Sequence, residues 1–218
     1  MRADEVIEAA KDEDVARLKH LLESDPELAN ARAESGETPV MTALYRGHHA
    51  AVDLLLEAGA KLDIFAAAAL GDVAVLESEL AATPAAANAF AYDGWTPLHL
   101  AAFFGRKPAA EKLLAAGAGL STLSQNALRN TPLHAAVAGG HVDVSLLLIE
   151  AGADVNVPDA GGHTPFHIAA EGGYLPVAKA LLGRGADAHA VDAEDRTPLA
   201  RAVARGHTEI VDLINVRE

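Results

Sequence analysis

Ten histidines in 218 residues are the first place to look for a metal centre or an acid–base catalyst, and their spacing argues against both. His99, His134 and His167 each stand at the fourth place of one short motif, TPLH, TPLH and TPFH. His48, His141 and His207 each follow a glycine. Repetition of this kind points to a structural duty, with the motif imidazole bonding back toward its threonine and nearby loop backbone. The neighbours His48 and His49 diverge on a helix and ligate poorly together. His163 and His167 straddle a loop and a helix start, but the chain has no cysteine and no convergent carboxylate set, so zinc is unsupported. Asp192, Glu194 and Asp195 cluster beside Arg196 and read as a solvated loop tip rather than a calcium site. A nucleophile elbow, a phosphate-binding lysine loop, a dinucleotide-binding glycine loop and an H-E-x-x-H pair are all absent from the sequence. No catalytic residue, metal ligand or cofactor is assigned, and an enzyme is not expected.

A second concentration is aromatic. The stretch FAYDGWTPLHLAAFFG, residues 90–105, holds Phe90, Tyr92, Trp95, Phe103 and Phe104, five of the nine aromatic residues in the chain. Aromatic side chains and arginine most often dominate the energetics of protein interfaces, so the elements that carry them decide what they do.

Those elements repeat. Thr-Pro occurs at Thr38, Thr96, Thr131, Thr164 and Thr197, each time opening an apolar run, and the last three intervals are 35, 33 and 33 residues. Gly47, Gly105, Gly140, Gly173 and Gly206 follow these threonines at a constant offset of nine. Threonine is a good helix N-cap, and proline at the next position lacks a donor that would go unused. The glycine can adopt the left-handed conformation that ends a helix. A second apolar run with helical spacing follows, as in HVDVSLLLIEAG, and the links carry Asp, Asn and Gly turn chemistry. Each unit therefore reads as two antiparallel helices joined by a tight turn. Abundant alanine suits closely packed helices.

With TPLHLAA, TPLHAAV and TPFHIAA, and GGHVDVSLLLIEAGADVN downstream, the chain resembles ankyrin repeats over nearly its whole length. The resemblance implies an all-α solenoid of about seven helix-turn-helix units with short β-hairpin fingers. The units read as an N-terminal cap at 1–32, internal units at 33–62, 63–90, 91–125, 126–158 and 159–191, and a C-terminal cap at 192–218, in one domain spanning 1–218. The third unit's helical stretch, IFAAAALGDVAVLESEL, has no Thr-Pro, and the Thr-Pro at Thr83 opens no apolar run. Its entry link, GAKLDIF, is too short for a finger, so the finger row is expected to have a gap there. Met41 and Ala200 replace the motif histidine in units two and seven, as terminal repeats are commonly atypical. Arg201, Arg205 and Arg217, with Glu209 and Glu218, fit a solvated C-terminal cap.

Partner-contacting side chains in ankyrin repeats typically sit on the finger and at the end of the first helix. In this register Phe90, Tyr92 and Trp95 fall on the fourth finger or its entrance. Phe103 and Phe104 end the fourth unit's first helix, and Tyr45 and Arg46 end the second unit's. The expected function is a non-catalytic scaffold or regulatory adaptor that binds another protein through a groove centred on Tyr92, Trp95, Phe103 and Phe104. Packing of these aromatics within an irregular solenoid is the competing reading. A second function class is a small-molecule or metal-binding pocket beside the third unit.

The net charge of −14 repels phosphate backbones and anionic membranes, so neither is an expected partner. No apolar run reaches the roughly 18 residues of a spanning helix, and MRADEVIEAAKDED is not a signal peptide. A cytoplasmic monomer is expected. Arginine exceeds lysine and alanine is plentiful, as in GC-rich bacterial genomes.

Overall fold

The computed structural model describes residues 2–216. Among them are fourteen α-helices that pack as consecutive pairs. These are α1 (Arg2–Lys11) with α2 (Val15–Ser24), α3 (Pro39–Arg46) with α4 (His49–Glu57), and α5 (Ile64–Leu70) with α6 (Val73–Ala82). Then follow α7 (Pro97–Phe103) with α8 (Lys107–Ala115), α9 (Pro132–Ala138) with α10 (Val142–Glu150), α11 (Pro165–Gly172) with α12 (Leu175–Gly183), and α13 (Pro198–Arg205) with α14 (Thr208–Asn215). The first helices stack on one another from α1 to α13, and the second helices stack α2 on α4 and then from α6 to α14, giving two layers. Proline-bearing links after α2 and α6 form short 3-10 turns at Pro26–Asn30 and Pro84–Asn88.

The core lies between the layers and is largely alanine and leucine. Ala43, Ala101, Ala136, Ala169 and Ala202 are fully buried at matching places in their first helices. A methyl group at each lets neighbouring backbones approach closely. The local signals act as the motif demands. Thr38 Oγ1 accepts from the backbone N–H of Met41 at 3.3 Å, and Thr197 Oγ1 from that of Ala200 at 3.2 Å. The offset-nine glycines all take positive φ, between 68° and 75°, a region open to glycine at little cost.

The motif histidines are inter-pair latches. His99 Nε2 lies 3.0 Å from the carbonyl of Asn130, His134 Nε2 2.9 Å from that of His163, and His167 Nε2 3.1 Å from that of Arg196. A carbonyl only accepts, so Nε2 carries the proton. Nδ1 is then an acceptor for the threonine N–H at the start of the same helix, at 3.1–3.3 Å. Each imidazole ties its own pair to the next loop. Met41 now has a physical reason different from terminal exposure. The pair after it has no projecting loop to offer a carbonyl, so a histidine there would have nothing to latch.

Burial pushes all three imidazoles below the usual histidine range, His99 to about 4. A folded-state pKa below the unfolded value near 6.5 means that the unfolded chain binds more protons between those values. Stability is therefore full above pH 6.5 and falls as pH drops toward 4, by about 3 kcal/mol for His99 alone. We expect the thermal midpoint to fall between pH 7 and pH 5. Replacing His99 with glutamine should flatten that dependence, which calorimetry across the pH range would measure.

The expected β-hairpin fingers are not formed as strands. No strand occurs among the described residues. Each finger is a tight turn closed by two backbone bonds: Ala33 N–H donates to the Glu37 carbonyl and Gly36 N–H to that of Ala33, and the turns beginning at Ala91, Asp159 and Asp192 repeat the pair. Arms this short cannot build a ladder. The loop before α9 is longer, closed from Ser124 to Asn130, which accounts for the single 35-residue interval.

Before α5 there is no finger, and Asp63 caps the helix directly, accepting from the N–H groups of Phe65 and Ala66. The tips to either side nevertheless meet. A Cβ on Gly36, whose φ is 94°, would lie 2.8 Å from the Cβ of Tyr92. The expected gap is thus bridged at its outer edge.

Candidate functional site

The short helix α5 carries four consecutive alanines, Ala66–Ala69, and stands low between α3 and α7. Tyr45, at the end of α3, reaches past it. Its hydroxyl donates to the carboxylate of Asp93 in the fourth pair's turn. Its ring lies 5.5 Å from that of Phe104 and 6.4 Å edge-on from that of Trp95. Phe103 continues the cluster, 5.1 Å from Trp95 and 5.2 Å from Phe104, both edge-on. Trp95 in turn stacks on His99 at 6.0 Å. Edge-to-face pairs at these distances contribute beyond their buried area. The aromatics form one block that spans the weak third pair.

This corrects the placement of Trp95. It is 7% exposed and belongs to the core, because the loop turns its ring inward under Tyr45. Its indole N–H has no acceptor among the described residues. Phe103, Phe104 and Tyr45 are half-buried and pack against the same core. Tyr92 is 39% exposed at the turn tip, and Arg46 is exposed at the end of α3. Phe90 lies apart from the block, lining a small hollow with Phe65 and Tyr92. The structure therefore brings Tyr45, Trp95, Phe103 and Phe104 together, with Tyr92 and Arg46 at the surface beside them.

Asp93 is the hinge of this arrangement. One oxygen accepts from Tyr45, and the other accepts from the backbone N–H of Trp95 at 3.0 Å. Burial, and then the bonded carboxylate, push the Tyr45 phenol far above its ordinary value, so it stays a protonated donor. Burial, with Asp93 and Glu37 nearby, also raises the Tyr92 phenol.

One surface residue escaped sequence reasoning. The longer loop before α9 exposes Leu128, at 53%. Beside it Arg129 takes a left-handed backbone, φ 46°. Asn126 holds the tip by accepting from the Leu128 N–H and the Ser124 hydroxyl. The 35-residue interval was the available signal.

The C-terminal charges also differ from expectation. Asp192 has a fully buried side chain, and Arg201 is only 8% exposed, so neither belongs to a solvated tip or cap. Arg201 binds Asp192 Oδ2 through Nε at 2.7 Å and Nη2 at 2.5 Å, and also reaches Glu171. Arg205 adds a bond to Glu171 at 2.5 Å. Arg217 and Glu218 lie outside the described residues. The fold does gather His163, Asp192 and Glu194, with ligand-type atoms within 4.8 Å of one another. Arg201 and Arg196 already sit on those carboxylates, and a cation would have to displace them.

Ankyrin-repeat family models match residues 6–122, 64–159, 108–192 and 158–215. The chain belongs to the ankyrin-repeat family. Over 94 residues it is 39% identical to a probable E3 ubiquitin-protein ligase of Oryza sativa subsp. japonica, a match covering 43% of this chain and 21% of that protein. The chain thus spans about a fifth of that relative's length. Ankyrin repeats are general protein-interaction modules and typically non-catalytic. No helix among the described residues is long and apolar enough to cross a membrane.

Proposed function

We propose that this ankyrin domain is a non-catalytic scaffold or adaptor that binds a partner protein across its second and fourth helix pairs. The observation that carries the reading is the continuity of Tyr45, Phe104 and Phe103 across the recessed third pair, with Tyr92 and Arg46 exposed beside them. Buried Trp95 supports this surface from below without belonging to it. The block is tied by its own ring contacts and the Tyr45–Asp93 bond, so docking orders few new side chains. The acidic balance of the chain favours a partner with some positive charge, whose association slows as salt rises.

The test uses exposed positions, so that folding and binding separate. The double variant Tyr92→Ala/Arg46→Ala should keep a melting temperature within about 3 °C of the parent, as surface changes usually do. In a pull-down from host lysate it should lose at least one protein that the parent retains. A purified partner should bind the variant about tenfold or more weakly, the scale of one interface hot spot. Retention of the same proteins by both would place the functional face elsewhere.

A further inference from the structure

The third helix pair has no finger, and the space beneath the bridged tips is not filled. Two hollows remain. One, of about 320 Å³, is lined by Asn30, Lys61, Leu62 and Glu79 among others. The other, of about 150 Å³, is lined by Met41, Phe65, Phe90, Ala91 and Tyr92. Arg32, Thr38 and Asp63 belong to both walls, so the Arg32–Asp63 ion pair, at 3.2 Å, partitions the space. The partition is held in place. Asp63 caps α5 with its other oxygen, and Arg32 Nη1 donates to the Gly36 carbonyl at 2.8 Å. The Gly36–Tyr92 contact closes one side.

We propose that the smaller hollow binds a small neutral molecule with an aromatic or branched aliphatic body and one hydrogen-bond acceptor. Its size sets the body, since a cavity of about 150 Å³ accepts a benzene-sized ring. Three aromatic side chains and a thioether favour a flat or branched apolar group. The polar wall sets the acceptor. A guanidinium has five N–H donors, and Arg32 commits Nη1 to Gly36 and Nη2 to Asp63, leaving further donors for a ligand oxygen. Charge sets neutrality. Asp63 is in the wall, Glu37 and Asp93 act on Tyr92, and the chain carries −14 overall, all of which oppose a carboxylate ligand. A cation gains little, because Asp63 is already engaged by Arg32 and the helix cap. The site exists because one finger is missing, and it shares only Tyr92 with the protein-binding surface proposed above.

Acetophenone, ethylbenzene and benzoate test the three requirements. Each is titrated into the full chain while NMR follows the Met41 methyl and the Phe65, Phe90 and Tyr92 ring signals. Acetophenone should give saturable shifts at all four residues. Ethylbenzene, which lacks the acceptor, should bind about two- to tenfold more weakly, the scale of one hydrogen bond. Benzoate should bind more weakly than acetophenone. Ala91→Leu fills the hollow and should abolish the shifts. Arg32→Met, at an exposed position, should erase the preference for acetophenone over ethylbenzene while leaving ethylbenzene bound. Absence of saturable shifts with the parent protein would overturn the site. Shifts that persist in Ala91→Leu would place the binding elsewhere, and benzoate binding best would overturn the neutral class.

Discussion

Trp95→Ala should destabilise the domain by about 3–5 kcal/mol, the cost of removing a large buried aromatic and leaving a cavity. Trp95 is 7% exposed and its ring contacts Tyr45, Phe103 and His99, so its loss undercuts the block that joins the second and fourth pairs. The effect should be focused there. Hydrogen exchange should rise first in α3, α5 and α7, because the alanine-rich α5 offers little to hold its neighbours. Trp95→Phe is the control. It keeps an aromatic ring and removes an indole N–H that has no acceptor among the described residues, and an unmet buried donor itself costs about 1–3 kcal/mol. Phenylalanine should therefore recover most of the stability that alanine loses. Denaturant unfolding of the two variants measures both numbers. If alanine and phenylalanine were equally mild, the block would not be a structural bridge. The design also bears on function. Partner loss in Trp95→Ala would follow from collapse of the surface, which is why Tyr92 and Arg46 are the residues to change in a binding assay.

Asp192→Asn should be comparably costly, by about 3–5 kcal/mol, because it leaves Arg201 buried without its one fully buried carboxylate. Arg201 is 8% exposed, and its guanidinium makes two bonds to one Asp192 oxygen, at 2.5 and 2.7 Å. Glu171 and Glu194 also pair with it but are more accessible to water. Loss should be local at first, with α13 and α14 exchanging before the rest of the solenoid, as stacked repeats contact only their neighbours. The pH dependence follows from the same geometry. Burial alone would raise the Asp192 carboxyl. The backbone N–H groups of Arg196 and Glu194, together with the Arg201 guanidinium, outweigh it and hold the group well below the usual carboxylate range. A depressed folded-state pKa gives stability that is complete above the unfolded value near 3.9 and is lost as pH falls below it. The histidine latches weaken earlier, between pH 6.5 and 4. Acid unfolding should therefore show a histidine-dependent loss between pH 6.5 and 4, followed below pH 4 by a further loss that Asp192→Asn reduces. A double variant, Asp192→Leu/Arg201→Met, should recover much of the single variant's loss, because paired apolar groups avoid the stranded charge.

The sequence by itself determined the repeating architecture. Thr-Pro caps, offset-nine glycines and apolar periodicity are local signals whose energetics are settled within one or two turns of chain, so the helix pairs and left-handed stops could be read directly. The shared place of His99, His134 and His167 likewise identified them as structural before their acceptors were known. The shortness of GAKLDIF told that one finger was missing. Tertiary structure alone decided the rest, because it depends on contacts between residues far apart in the chain. Trp95 sits on a loop by its local pattern, but Tyr45, fifty residues earlier, turns that loop position into core. Arg201 and Asp192 look like surface charges in a polar terminal unit, and only the approach of Glu171 from the preceding pair encloses them. Met41 replaces histidine for a reason visible only when the next pair is seen to lack an acceptor. The small hollow beside Arg32 exists because two finger tips, from the second and fourth pairs, meet above the place where the third is absent.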